Sequence, residues 1–265
     1  MFLGKVLVIL SSAHQLELSG DKLWPTGFYL NEFGIPAQYL THRGYQLVLA
    51  NPQGNRPAID STSDDPSFFG NDKERHQQVK QFITGLPDFA KPKTFKEILD
   101  EGLESYDGIF VPGGHAPMQD LINDPHLGRI LLHFHQAGKP TAMICHGPVA
   151  TLAAQDDPEG FFQNARAGRS LPPRNWIYAD YEMTVFSNIE ERLAEAKMHG
   201  KLKFRAETAL KNAGAKMAVA WIPGSAKVVE DRELITAQNP ASDEEFAKLF
   251  LTRLVERALV PSHSA

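Results

Sequence analysis

The chain has 265 residues, 42% hydrophobic and 22% charged, with a net charge of −5 and a single cysteine. Such a composition suits a globular protein with one substantial core, and it provides no basic footprint for nucleic acid or an anionic membrane surface. One cysteine excludes an intrachain disulfide and fits a reducing, cytoplasmic setting.

The opening run Val6 to Leu10 is too short for the core of a secretory signal and reads as a first buried strand. No stretch approaches the roughly 18 apolar residues of a membrane span. His14 to Lys22 reads as a polar loop. A helix is expected from Thr26-Gly27 to about Arg43-Gly44, broken or kinked at Pro36. Tyr45 to Ala50 is a second strand, which completes a βαβ unit. Residues 55 to 92 interrupt this rhythm as a polar insertion with a Phe68-Phe69-Gly70 patch and a helical run from Asp72 to Ile83. Their phenylalanines and leucines predict an insertion that packs over something.

Thr94 to Ser105 has helical periodicity, and Gly108 to Val111 is a strand running into Pro112-Gly113-Gly114-His115. The helix Leu127 to Gln136 stops at Gly138 and leads to the strand Thr141 to Ile144, which ends at Cys145-His146-Gly147-Pro148. Val149 to Ala154 is helical, and residues 155 to 175 read as a long loop. Two strand-like pieces are expected within Trp176 to Phe186, then helices over Glu190 to Lys197 and Leu202 to Asn212. Met217 to Ile222, Lys227 to Glu230 and Leu234 to Thr236 read as short strands. A final helix is predicted to start at a capping box of Ser242 and Glu245. Apolar strands alternating with amphipathic helices define an α/β domain spanning 1–265, its mostly parallel sheet covered on both faces.

Ligands of such sheets bind at the carboxyl ends of the strands. The two loops found there carry suggestive chemistry. Gly113 and Gly114 let backbone amides approach a developing oxyanion. A cysteine entering a helix N-terminus has its thiolate favoured by the amide dipoles, and an adjacent histidine can move protons. Of ten histidines, only His115 and His146 lie in these loops. Gly113, Gly114 and His115 are therefore candidate oxyanion or substrate-binding residues, and Cys145 is the candidate nucleophile.

Ala-Met-Ile-Cys-His-Gly-Pro, with Phe-Val-Pro-Gly-Gly-His about thirty residues upstream, resembles the ThiJ/PfpI superfamily and, within it, the HchA-type heat-shock chaperone and glyoxalase III branch. Supporting features are Lys22-Leu23 with Thr26-Gly27 and Glu32, the polar insertion, Met198-His199-Gly200, and Gln238-Asn239-Pro240-Ala241-Ser242. The resemblance implies a class I glutamine amidotransferase-like fold, a flavodoxin-like three-layer sandwich with a lid-like insertion. It implies that Cys145 is the nucleophile, Glu32 the acid that hydrogen-bonds the sulfur and shuttles a proton, and His146 the catalytic histidine. The histidine's acidic partner follows Thr184-Val185-Phe186, with Glu191 favoured over Glu190 by spacing. Gly114 and the His146 amide match the oxyanion donors.

A His/Glu/His metal site of some members has no counterpart, because Thr41 and Gln46 stand at two ligand positions, so neither metal nor cofactor is expected. The implied activity is that of a glutathione-independent glyoxalase III, which turns methylglyoxal into lactate through a cysteine-bound hemithioacetal in a homodimer. Alternatives are a holding chaperone with unfolded clients, using Phe68, Phe69, Phe161 and Phe162, and a deglycase, peptidase or amidase with the same site. A redox-sensing role for Cys145 is a further alternative.

Overall fold

A parallel strand covered on both faces must be apolar throughout, and Val6 to Leu10 meets that demand with every residue at most 1% exposed. Val6, Val8 and Leu10 enter the apolar layer on one side of the sheet, and Leu7 and Ile9 the layer on the other, as strand alternation requires. The structure, a computed structural model, describes residues 2–169 and 175–259.

Seven strands form the central sheet: β1 (Gly4–Ile9), β2 (Tyr45–Asn51), β3 (Lys93–Thr94), β4 (Gly108–Val111), β5 (Thr141–Ile144), β6 (Val228–Asp231) and β7 (Leu234–Ala237). Their order is β6-β7-β5-β4-β1-β2-β3, and all neighbours are parallel except β6 and β7. Helices Leu30–His42 and Asp243–Leu259 cover one face through Phe33, Leu40, Phe246 and Phe250. Helices Phe95–Glu101, Pro125–Gln136 and Ala206–Ala213 cover the other. This is the flavodoxin-like α/β sandwich. From β1 the chain crosses outward to β2, whereas from β4 it crosses the other way to β5, so a crevice opens between the carboxyl ends of β1 and β4.

Several expected elements differ. The helix after β1 starts at Leu30 rather than Thr26, because Phe28 first pairs with Ile59 of the insertion as a β-bridge. It then runs through Pro36 to His42. The expected polar loop at 14–22 is largely a hairpin, Gln15–Glu17 against Leu23–Pro25. Within the expected loop at 155–175, a helix spans Pro158–Arg166, with the Asp157 side chain accepting from the Gly160 amide and Pro158 in the first turn. Residues 170–174 of that stretch lie outside the described residues.

Of the strands expected at Trp176 to Phe186 and Met217 to Ile222, only Glu182–Met183 and Lys216–Met217 form, paired with each other. The helix expected from Leu202 begins at Ala206. The Ser242–Glu245 capping box is absent: the Ser242 hydroxyl donates to Asn239 Oδ1 and accepts from the Lys227 amide. The insertion folds as a turn at Pro66–Phe69 and a helix at Lys73–Thr84, which packs Val79 and Ile83 into the core. Phe69, Phe161 and Phe162 are buried and offer no surface to clients; the largest exposed apolar side chains are elsewhere, Trp221 among them.

Candidate active site

At the end of β5, the Cys145 amide donates to the Ala237 carbonyl, and its own carbonyl accepts from the Phe186 amide. Held from both sides, Cys145 takes a left-handed backbone conformation, φ 60°. For a residue with a side chain that conformation costs about 1–3 kcal/mol. It turns the side chain out of the strand direction at the start of the 3₁₀ segment Gly147–Ala154. The thiol is nonetheless almost sealed, at 2% exposure.

Gly113 explains how Glu32 reaches the thiol. A Cβ on Gly113 would lie 2.1 Å from Glu32 Oε2 and 2.4 Å from Cys145 Cβ, so those two atoms are within 4.5 Å of each other. Only glycine leaves this space open. Gly114 has φ +92°, and a side chain there would strike the Gly27 carbonyl. Its amide is directed at the Cys145 sulfur, where it favours the thiolate. Burial pushes the Glu32 carboxyl well above the usual carboxylate range, against the neighbouring Cys145 thiol, which lowers it. Burial, and then the Glu32 charge, likewise push the Cys145 thiol well up. Neither Glu32 oxygen has a partner of normal hydrogen-bond geometry, so the acid and the thiol touch without a well-formed bond. Burial disfavours the charged form of both acids, and Glu32 further disfavours the thiolate beside it, so a proton is kept between the two groups.

His146 Nδ1 lies 3.2 Å from Cys145 Sγ, and its Nε2 lies 2.6 Å from Glu191 Oε1. With Nε2–H donating to the carboxylate, Nδ1 is left bare toward the thiol, the tautomer a general base needs. Glu191 has a second partner: its Oε2 accepts from His115 Nε2 at 3.1 Å. The two imidazoles lie 4.0 Å apart between ring centroids. Burial alone would raise Glu191, but both histidines oppose it and hold it down to about 2. Burial, then the neighbouring His115, lowers His146. Burial would lower His115 as well, yet the Glu191 charge and hydrogen bond outweigh it and leave His115 raised. The carboxylate is thus ionised, and of the two rings it favours protonation of His115 more than of His146.

Glu190, the adjacent candidate, points elsewhere. It closes a capping box with Ser187 and accepts from Gln238, Asn239 and the Gly224 amide. Gly113 contributes its carbonyl to the Tyr29 amide as well as its open space. His115, His146 and Glu191 present ligand-type atoms within 4.8 Å of one another. Their 2.6 and 3.1 Å separations are those of hydrogen bonds through shared protons, and that reading accounts for the geometry. The Thr41 hydroxyl is spent on the Ala37 and Gln38 carbonyls of its own helix.

Two cavities of about 480 and 440 Å³ meet over the site and share Tyr29, Phe68 and Lys197 as walls. Phe186 and Asn31 line the first, and His115 and Asp60 the second. Cys145 lines neither and sits behind His115 and Phe186, whose ring packs 4.9 Å from that of His146. The insertion therefore supplies part of the cover through Asp60 and Phe68. Sequence reasoning missed the roles of Tyr29, Asp60, Phe186 and Lys197, and only Phe186, beside the expected acid, carried any signal. The larger cleft of about 740 Å³, beside Pro125, Arg129 and Trp176, contains none of the reactive groups.

Fold and site together define an α/β protein with a cysteine on a strand-to-helix turn, backed by a histidine–glutamate pair and faced by a buried acid. The family model described as ThiJ/PfpI family-like matches residues 23–195, and the chain belongs to that family. It is 24% identical over 259 residues to a protein/nucleic acid deglycase HchA of Pseudomonas aeruginosa, covering 95% of this chain and 81% of that one. The fold is that of glyoxalase III from Candida albicans, with TM-score 0.70 and 21% identity over 94% of this chain and 97% of that one. It is also that of a 24 kDa rapid encystment protein of Francisella tularensis, with TM-score 0.71 and 24% identity over 95% and 99%. Of these, the Pseudomonas relative is named for HchA and the Candida structure for glyoxalase III. Among the described residues, no helix is long and apolar enough to cross a membrane.

Proposed function

We propose that the protein is a cofactor-independent glyoxalase that isomerises and hydrolyses methylglyoxal to lactate. One observation carries this reading: Glu32, its carboxyl pushed up by burial, is packed against a nearly sealed thiol, where it can serve both carbons of a small dicarbonyl. The Cys145 sulfur adds to the aldehyde carbon as its proton passes to His146 Nδ1. Glu32 protonates the aldehyde oxygen, which gives a hemithioacetal and leaves Glu32 a carboxylate. Glu32 then removes the proton from that carbon, and the electron pair moves into a carbon–carbon double bond and onto the neighbouring carbonyl oxygen.

Glu32 next returns its proton to the second carbon. His146 gives a proton to the second oxygen and takes one from the first, which leaves a thioester. Water attacks the thioester, giving a proton to Glu32, while His146 protonates the departing sulfur. Lactate leaves with one proton released to solvent, and all three groups are restored.

The deglycase named among the relatives would use the same addition to a carbonyl. A thiol at 2% exposure favours free small aldehydes over adducts on macromolecules. The test is lactate formation from methylglyoxal without glutathione. Cys145→Ala and Glu32→Gln should each abolish it, and activity that survives in both variants rules this mechanism out.

A further inference from the structure

A 1,2-dicarbonyl carries two oxygens, and both change charge during the isomerisation. The attacked carbon's oxygen can be served by Glu32 and by the amides of Gly114 and His146. The oxygen on the neighbouring carbon becomes the enediolate; His146 protonates it only once the second carbon has its proton, and none of those groups holds it while the charge builds. We propose that His115 serves it: a catalytic imidazolium that donates its Nδ1–H to the second carbonyl oxygen and stabilises the enediolate.

Three observations carry the assignment. His115 Nε2 is fixed to a fully buried carboxylate at 3.1 Å, so the ring cannot turn freely. Nδ1 has no partner among the described residues, and His115 lines the 440 Å³ cavity. Its ring lies 4.0 Å from that of His146, whose other edge meets the thiol, so a molecule held by Cys145 would lie alongside His115. A donor aimed where charge develops acts most strongly in such a water-excluded site.

The charged groups around His115 favour the cation. Helix Asn188–Lys197 brings Glu191 in contact and Glu195 further away, with Lys197 opposing from the cavity wall. The insertion brings Asp60, with Asp64 and Asp65 also on the cavity. The cysteine turn brings His146, whose own lowered pKa keeps it from competing for the proton. The donor is not consumed, because the proton shuttled between the carbons stays with Glu32 and His115 only holds the oxygen.

This role rests on the glyoxalase reading, and the test separates the two. In His115→Phe, kcat for methylglyoxal should fall about 100- to 1,000-fold, the usual effect of losing such a donor. KM should move less than about threefold, because the interaction is made in the transition state. His115→Gln, which keeps an N–H, should recover at least about tenfold of that loss. Iodoacetamide should still alkylate Cys145 in both variants, since the contact between the thiol and His146 Nδ1 does not run through His115. Imidazole NMR of the intact protein should find His115 charged at pH 7, and neutral in Glu191→Gln. A neutral His115 in the wild type, or a His115→Phe enzyme as fast as wild type, overturns the role while the glyoxalase reading stands. A wild type that forms no lactate overturns both.

Discussion

Replacing Glu191 by glutamine changes one oxygen to NH2 at the residue on which two histidines depend. Glu191 is fully buried, and its carboxyl is held at about 2 rather than 4.5 by His146 and His115. At about 1.4 kcal/mol per unit, the ionised carboxylate contributes roughly 3 kcal/mol to the folded state. Because the folded value lies below the unfolded one, that contribution is complete above about pH 4.5. It is lost as pH falls toward 2. Glu191→Gln should therefore be about 3 kcal/mol less stable than wild type in urea at pH 7, and the gap should close by pH 2. The new NH2 must face one of the two imidazole nitrogens that now donate, which forces that ring to change tautomer. If the ring is His146, its Nδ1 no longer accepts the thiol proton, and turnover should fall about 10³- to 10⁴-fold. Stability within about 1 kcal/mol of wild type at pH 7, together with turnover within about tenfold, would refute the shared-carboxylate account.

Two further outcomes follow from steric and electrostatic details. Gly113→Ala places a methyl 2.1 Å from Glu32 Oε2 and 2.4 Å from Cys145 Cβ, so urea unfolding should show a loss of at least about 2 kcal/mol, and iodoacetamide a changed rate at Cys145; unchanged stability would mean that the acid and thiol are not packed there. Asp120 is raised from 3.8 to about 6, chiefly by burial, so its ionisation works against folding as pH climbs from about 4 past 6. Wild type should lose about 3 kcal/mol relative to Asp120→Asn over that interval, and parallel stability curves would contradict the shift.

Much of the fold was legible because the site-bearing strands are uniformly apolar: Gly108–Val111 and Thr141–Ile144 are bounded as their sequences suggest. The elbow at Cys145 was legible because glycine and proline follow at once. Glu32 was not. On a helix it has the look of a solvated residue, and only the approach of Gly113 and Cys145, more than 80 positions away, buries it. His115 was singled out for its loop, but its bond to Glu191 spans 76 residues and has no local signature. The helix Pro158–Arg166 did have one, Asp157-Pro158, which the surrounding glycines and prolines obscured.

The choice between Glu190 and Glu191 shows how a local rule can settle a distant contact. Ser187 and Glu190 have the spacing of a capping box, as do Ser242 and Glu245. At Ser242 the box fails because Asn239 and Lys227 engage the hydroxyl. At Ser187 it forms, with the Ser187 amide and hydroxyl both donating to Glu190 Oε2. Successive helical residues point about 100° apart, so a Glu190 turned back on its own N-terminus leaves Glu191 on another face of the helix. That face looks onto His146. The cap thus selects which of two adjacent carboxylates serves the histidine, and it also fixes the first turn that carries Glu191. Disturbing Ser187 should therefore act on the histidine pair through Glu191 without touching it.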